Sequence, residues 1–549
     1  MTTDDTKCQP EFISGSRWEM LKQVRHDISA VISVMKISGH QRIRFGTDGW
    51  RGIIAKDFTF KNVGIAAQAI ADYVKSGSRQ EGVGSSKAEI LHPTPYTLHP
   101  AVIIGYDNRF LSEKFALYVA KVFSANGISA AVSESAATSP SVSLYCKKNN
   151  CLGVMITASH NPPVWNGLKI KLQYGGSVSE KVIGEISQNL YKNKVKIDTV
   201  DEVKSVALNL FQGFNNIKTI DILSDYKKYL KSLVKLNSAS KLKITIDSMD
   251  GSGSGIFEQI LKNEKQIISI HNNRDPLFSG INPEPIEKNL TELKKAVLKN
   301  RASAGFAFDG DADRLGVIDD KGRYLSPHIV FPLILLYLLE GKKLKGKIVQ
   351  TISLGYLSER IAKKFGLPFE EVPVGFKYVC EKMRTSNVML GGEESGGYGW
   401  CGGLPERDGI LNALLITEML SKTKKKLSML VDEMQERFGK SYFLRKDIKL
   451  FKPVDKLKFV KDVENLFISG HQRVDSRFRG NGVCGNLRVK EVRTYDGIKI
   501  IFENDNWLLL RPSGTEPVLR TYSETDSIAK TNKLLDFAEK ICFNLNEQD

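Results

Sequence analysis

Four short stretches of this 549-residue sequence carry residues whose types and spacing could do chemistry. The first, Thr157-Ala158-Ser159-His160-Asn161-Pro162, follows the strand-like run Gly153 to Ile156, and Lys169 stands a short strand later. A serine in a turn at the end of an apolar strand is exposed and oriented, as a nucleophile or phosphate carrier must be. Read alone, it could equally be a turn residue capping its own backbone. The second, Asp309-Gly310-Asp311-Ala312-Asp313-Arg314, lies between the apolar runs Ala304 to Phe308 and Leu315 to Ile318. Alternating carboxylates can converge on one hard cation and leave coordination positions free for a phosphate oxygen. An EF-hand is excluded, because Arg314 stands where that loop needs glycine, Asp320 where it prefers glutamate, and strand signals flank it. A phosphatase-type aspartate nucleophile is the other chemistry for such a loop, although three acids in alternation suit ligands better. Acids without any partner between two buried strands would be costly.

The third stretch is Gly391-Gly392-Glu393-Glu394-Ser395-Gly396-Gly397. Its glycines let backbone approach a ligand closely, and Glu393 with Ser395 suits vicinal sugar hydroxyls. The fourth, Arg511-Pro512-Ser513-Gly514-Thr515-Glu516-Pro517 with Arg520 beyond, combines arginine forks, hydroxyls and amides into a phosphate cradle. A plain turn with a surface arginine is the bland alternative.

The elements that must position these loops repeat along the chain. Ala101 to Gly105 reads as a strand, Ser112 to Ala125 as an amphipathic helix and Ile128 to Val132 as the next strand. The order returns at Lys243 to Asp247, Gly255 to Lys262 and Ile267 to Ile270, and again at Ile348 to Thr351, Gly355 to Phe365 and Phe369 to Val372. Three such units imply three α/β domains with mainly parallel strands. The last hundred residues mix short strands (Ile498 to Phe502, Trp507 to Leu510) with a final helix near Ala529 to Leu545, an α+β pattern. The segments Ser76 to Pro100 and Gly470 to Asn486 read as inserted surface loops. Trp18 to Met35 suits an amphipathic helix in a detached N-terminal extension, and the natural start is expected at Met20 or Met35.

Composition narrows the function classes. A hydrophobic share of 41% and a charged share of 26% are ordinary for globular domains, and the length suits three or four of them. The longest apolar stretch, Ile329 to Leu339, contains Pro332 and is too short to cross a bilayer. Asp4 and Asp5 stand where a secretory leader carries positive charge, so a cytoplasmic protein is expected. Seven cysteines without a C-x-x-C pair argue against a disulfide framework or zinc site. Cys151 and Cys401 read as small packing residues. The net charge of +17 is spread over lysine-rich segments such as Lys342 to Lys347, with no aromatic-basic ladder. It reads as a solvated basic surface, a minority of which steers a phosphorylated substrate.

With the four loops in this order, the chain resembles the α-D-phosphohexomutase superfamily, which includes phosphoglucomutases, phosphomannomutases and phosphoglucosamine mutases. The likeness runs from about Arg42 to Tyr522. It also includes Phe45 to Gly52, Gly105-Tyr106-Asp107-Asn108-Arg109, Asn282 to Pro285, Val374-Gly375-Phe376-Lys377 and Arg407-Asp408-Gly409. The resemblance implies an α/β fold of four domains around a central cleft. Behind an N-terminal extension (1–40) would come domain I (41–205, phosphoserine loop), domain II (206–322, metal loop), domain III (323–442, sugar loop) and an α+β domain IV (443–549, phosphate loop).

The implied activity is reversible phosphoryl transfer between C1 and C6 of glucose or mannose phosphate through phosphorylated Ser159 and a 1,6-bisphosphosugar. Phosphoglucosamine mutase is the alternative inside the class. A sugar-phosphate binding protein without catalysis is disfavoured by the presence of Ser159 and all three aspartates. The resemblance places Mg²⁺ between the Ser159 phosphate and Asp309, Asp311 and Asp313. His160, Lys169, Arg51 and Arg314 would surround the transferring group, with Lys169 assisting proton transfer. Glu393 and Ser395 would hold sugar hydroxyls, Lys377 would touch the substrate, and Arg511, Ser513, Gly514, Thr515 and Arg520 would grip the phosphate that is not reacting. A hexose 1,6-bisphosphate serves as activator. Partners are hexose phosphates, with no nucleic acid or membrane, in a monomer or homodimer. The chain departs from some relatives at Thr138-Ser139-Pro140, where they carry Pro-Thr-Pro. It also has Ser353 near a substrate-contacting lysine of certain members. Thr157-Ala158 before Ser159 looks more like the glucose/mannose branch.

Overall fold

The computed structural model describes residues 43–46, 49–78, 100–197, 217–236, 242–261, 266–450, 454–468, 488–513 and 517–546. The expected helix at Trp18 to Met35, the insertion at Gly470 to Asn486 and most of that at Ser76 to Pro100 lie outside these residues. Ser76 itself belongs to the helix Phe60–Ser78.

The described residues form four sheets. In the first, β1 (Trp50–Ile53), β2 (Val102–Tyr106), β3 (Ala130–Ser133), β4 (Leu152–Ile156), β5 (Trp165–Leu172), β6 (Gly176–Ser177) and β7 (Lys218–Ile220) take the order β1-β5-β4-β2-β3-β7, with β6 on β5. The second contains β8 (Ile244–Asp247), β9 (Ile267–Ile270), β10 (Ala304–Phe308), β11 (Leu315–Asp319) and β12 (Tyr324–Leu325) in the order β12-β11-β10-β8-β9. The third has β13 (Lys347–Thr351), β14 (Phe369–Val372), β15 (Val388–Gly392) and β16 (Tyr398–Trp400) in the order β14-β13-β15-β16.

The expectation of mainly parallel strands holds at the centre of each of these sheets and needs correction at one edge. β4-β2-β3-β7, β10-β8-β9 and β14-β13-β15 are parallel, whereas β5, β11 and β16 turn back antiparallel on β4, β10 and β15. The reason is local: the links from β4 to β5, β10 to β11 and β15 to β16 are short turns, and only antiparallel strands can be joined that way. Those three turns carry the first three chemical motifs. The fourth sheet, β17 (Tyr442–Lys449), β18 (Val489–Arg493), β19 (Ile498–Phe502), β20 (Trp507–Pro512) and β21 (Val518–Thr525) in the order β17-β21-β20-β19-β18, is antiparallel throughout and backed by the helix Ile528–Asn546. Its β20-β21 turn carries the fourth motif.

β2, β4, β8 and β10 are buried along their whole length, which explains their unbroken apolar character. The helix Ser112–Ala125 buries Phe115, Ala116, Val119, Ala120, Val122 and Phe123, one face at helical spacing. Apolar residues of the second and third sheets share one core with Trp507, Leu509 and Tyr522 of the fourth, while the first sheet has a separate core. Apart from Leu144 and Tyr174, which pack on the cores of the other sheets, the first sheet meets them across a polar seam. Cys151 is buried, as a packing residue should be; Cys401 is exposed, so the packing reading does not hold for it. No described helix is long and apolar enough to cross a membrane.

Candidate active site

The site assembles on that seam. Ser159, just past β4, has a φ of +54°, a left-handed conformation that a non-glycine residue keeps only where its surroundings enforce it. Arg109, 1% exposed, is the enforcing group. Its Nη1 donates to the carbonyls of Pro162 (2.8 Å) and Trp165 (3.0 Å), its Nη2 to those of Ser159 (2.6 Å) and Asn161 (2.7 Å). Its Nε bonds Asp107 Oδ2 at 3.0 Å. Thr157 Oγ1 donates to the same carboxylate oxygen at 2.6 Å and accepts the Ser159 N–H at 2.8 Å.

The β10-β11 turn comes directly against this loop. A Cβ on Gly310 would lie 2.5 Å from the Ser159 carbonyl oxygen, so the approach needs glycine. Ser159 Oγ donates to Asp309 Oδ2 at 2.6 Å, and His160 Nδ1 lies 3.5 Å from the same hydroxyl. Asp309, Asp311 and Asp313 are buried, with one oxygen of each within 4.8 Å of the others. Lys169, projecting from β5, bonds Asp311 Oδ2 at 2.8 Å and Asp313 Oδ2 at 3.1 Å. Ser139 Oγ donates to Asp311 Oδ2 at 2.5 Å. Arg314 reaches within 4.0 Å of Asp313, and Arg51 Nη1 donates to Asn161 Oδ1 at 2.6 Å.

Burial, reinforced by Asp313 and Asp311, pushes the Asp309 carboxyl well above its ordinary range. Burial also acts upward on Asp313, but Arg407, Lys169 and Arg314 outweigh it and hold that carboxyl far below. Burial, helped by Arg314, Arg51, Lys169 and Arg407, pushes His160 well down, so its imidazole is neutral. Asp311 Oδ1 and Asp313 Oδ1 are buried without a hydrogen-bond partner among the described residues. Three buried carboxylates with two unsatisfied oxygens fit a hard divalent cation, which prefers oxygen ligands.

The sugar loop joins this cluster through a residue absent from the sequence-derived site. Arg407, 3% exposed, donates from Nη2 to Asp313 Oδ2 at 2.8 Å and from Nη1 to Glu393 Oε2 at 3.1 Å. Ser395 Oγ is buried without a partner among the described residues and borders a cleft of about 920 Å³ shared with Arg314, Glu394 and Arg445. Ser353 Oγ donates to Glu394 Oε2 at 2.5 Å, so this serine serves the sugar loop. Lys377 Nζ bonds Glu180 Oε1 at 2.5 Å across to the first domain. In the fourth sheet Arg511 and Arg520 stand opposite each other, Arg511 Nε bonds Asp496 Oδ2 at 2.9 Å, and the Ser513 N–H bonds the Val518 carbonyl. Gly514 and Thr515 lie outside the described residues. Ser159, His160, Lys169, Arg51, Arg314, the triad and Glu393 are thus gathered on the seam, while Arg511, Ser513 and Arg520 form their own group on the fourth sheet.

Models of phosphoglucomutase/phosphomannomutase domains match the chain four times in sequence order. Alpha/beta/alpha domain I covers residues 42–196, domain II 224–322, domain III 326–438 and the C-terminal domain 469–541. A Pyrococcus furiosus protein assigned as a phosphoglucosamine mutase is 30% identical over 444 residues, 79% of this chain and 88% of that one. The chain belongs to the α-D-phosphohexomutase superfamily.

The Thermococcus kodakarensis phosphoglucomutase/phosphomannomutase is 27% identical over 504 residues, 90% of this chain and 98% of that one. The solved structure of a Thermus thermophilus protein assigned as a phosphomannomutase superposes with a TM-score of 0.73 at 28% identity, covering 92% of this chain and 99% of that one. Phosphohexomutases use Mg²⁺, and the acidic triad can bind such an ion here. Besides Arg407, sequence reading of this phosphohexomutase left Asp107 and Arg109 without a role. Their signal was present: opposite charges two residues apart directly follow the apolar strand Val102–Tyr106, and where such a pair is buried each charge needs the other.

Proposed function

We propose that this phosphohexomutase interconverts the 1-phosphate and 6-phosphate of glucose, mannose or both, with Ser159 as the phosphate carrier. The observation that carries the reading is Ser159 Oγ, held on a left-handed turn 2.6 Å from Asp309 in a buried acidic triad. Asp309, Asp311 and Asp313 would hold Mg²⁺, which supplies positive charge to phosphoryl oxygens. The Ser159 phosphate passes to the free hydroxyl of the sugar phosphate: the serine P–O bond breaks, a sugar P–O bond forms, and a 1,6-bisphosphosugar results. That sugar turns around and returns its other phosphate to Ser159, so free hexose 1,6-bisphosphate acts as an activator. Such transfer relies on alignment and charge stabilisation. Arg51, Arg314 and the neutral His160 surround the transferring group, Lys169 assists proton transfer, and the proton that leaves the sugar hydroxyl ends on Ser159 Oγ, the leaving oxygen. Glu393 and Ser395 read sugar hydroxyls, Lys377 touches the substrate from the third domain, and Arg511, Ser513, Gly514, Thr515 and Arg520 grip the phosphate at rest.

A second reading, glucosamine phosphate as substrate, is favoured by relatives such as the phosphoglucosamine mutase of Caldicellulosiruptor bescii, 27% identical over 494 residues. Mutase assays with Mg²⁺ on glucose 1-phosphate, mannose 1-phosphate and glucosamine 1-phosphate, each with a trace of its bisphosphate, separate the two. Faster turnover of the glucosamine compound would replace the first reading by the second. Inactivity on all three, with Ser159 unphosphorylated, would refute both.

A further inference from the structure

Arg511 can grip a phosphate only if its guanidinium is aimed, and one carboxylate bonds its Nε. Asp496 is 4% exposed. Its Oδ2 accepts Arg511 Nε at 2.9 Å and the backbone N–H of Val374 at 2.9 Å, and its Oδ1 accepts Lys456 Nζ at 2.8 Å. Arg511 lies near the end of β20 in the fourth domain, whereas Val374 opens the turn that leads to Lys377 in the third. Local sequence explains the placement. Gly497 has a φ of +86°, and a Cβ there would lie 2.5 Å from the Leu510 carbonyl oxygen and 3.0 Å from Arg511 Cα. Glycine at this position lets the chain pass beside Arg511 and brings the preceding carboxylate onto its Nε.

We propose that Asp496 is a positioning residue for phosphate capture, an inference that rests on the reading of Arg511 given above. It fixes Arg511 side-on through Nε, so that the terminal fork, the edge able to take two phosphate oxygens, is the one presented to the substrate. Through Val374 it keeps the Lys377 turn in register with that fork. A carboxylate near an anion site repels the anion, so charge alone predicts that removing Asp496 tightens binding, whereas positioning predicts the opposite.

The test compares the full-length parent with Asp496→Asn, Arg511→Ala and the double variant, using the sugar phosphate that turns over and competition by inorganic phosphate. Asp496→Asn is expected to raise KM and the phosphate inhibition constant together by about tenfold, with kcat within about threefold. The double variant is expected to be little worse than Arg511→Ala. A lower KM, tighter phosphate inhibition or fully additive effects would overturn the proposal. A defect in Arg511→Ala with none in Asp496→Asn sinks only the proposal; no defect in Arg511→Ala refutes the cradle reading beneath it. If thermal melting shows Asp496→Asn unfolded, Arg511→Lys asks the same question, because lysine keeps the charge but lacks the aimed fork. A parental KM there would overturn the proposal.

Discussion

Replacing Arg407 by alanine tests how the metal loop and the sugar loop are held together. Its two terminal nitrogens divide between Asp313 Oδ2 at 2.8 Å and Glu393 Oε2 at 3.1 Å, and removing them takes a cation from two buried carboxylates at once. Deleting one partner of a buried ion pair costs about 3–5 kcal/mol. Asp313 keeps Lys169 at 3.1 Å, so the lower end of that range applies to the protein without Mg²⁺. In a domain-sized cooperative unit a loss of about 3 kcal/mol lowers the melting transition by roughly 6–12 °C. Mg²⁺ held by the triad would neutralise Asp313 but would not replace the arginine beside Glu393, so excess Mg²⁺ should shrink the difference without closing it. Arg407→Lys keeps one charge without the fork and should fall between parent and alanine variant. Differential scanning calorimetry with and without Mg²⁺ measures the first effect. Mutase kinetics measure the second, a drop in kcat/KM as Glu393 loses its orientation. An alanine variant with an unshifted transition and kcat/KM within about threefold of the parent would refute the reasoning.

Ser159→Ala should reduce turnover to background and remove phosphate from the tryptic peptide that contains this position, as read by mass spectrometry; near-parental turnover would end the carrier assignment. Asp311→Asn preserves the loop's shape but removes one charge, so calorimetric Mg²⁺ affinity should fall at least about tenfold, and an unchanged affinity would take Asp311 out of the ligand set. Burial lifts Asp408 to about 7, against the opposing bonds from Leu411 N–H and Tyr226 OH. Its ordinary value of 3.8 is lower, so the native state holds the proton through that interval, and the stabilisation present below it is lost as pH rises towards 7. Asp408→Asn should therefore flatten the fall in urea midpoint over that interval relative to the parent; parallel profiles would show that the native carboxyl is already ionised.

The strands were legible where burial on both faces writes an unbroken apolar run. Ala304–Phe308, buried throughout, folds with the bounds its sequence suggests. So do the half-buried Phe369–Val372, whose two central residues are glutamates, and the helix Ser112–Ala125. β5 is harder, because Leu168, Ile170 and Leu172 alternate with Lys169 and Lys171. That period of two normally marks one wet face. Here the second face is dry: Lys169 is 3% exposed against the acidic triad, and Lys171 is 1% exposed in an ion pair with Glu406. Nothing local distinguishes a lysine facing water from one facing carboxylates that lie far along the chain. The same limit hid Arg407 and Asp496, whose partners include Asp313 and Val374, far from them along the chain. The four motif loops escaped that limit because each needs special residues in its own turn, as Gly310 does to clear the Ser159 carbonyl. They also share one position in the topology, the turn between two antiparallel neighbours, three of them where a buried parallel strand doubles back. In that position a loop keeps its polar groups at the strand's carboxyl end while its strands stay dry, which makes the chemistry readable and leaves its supports to the fold.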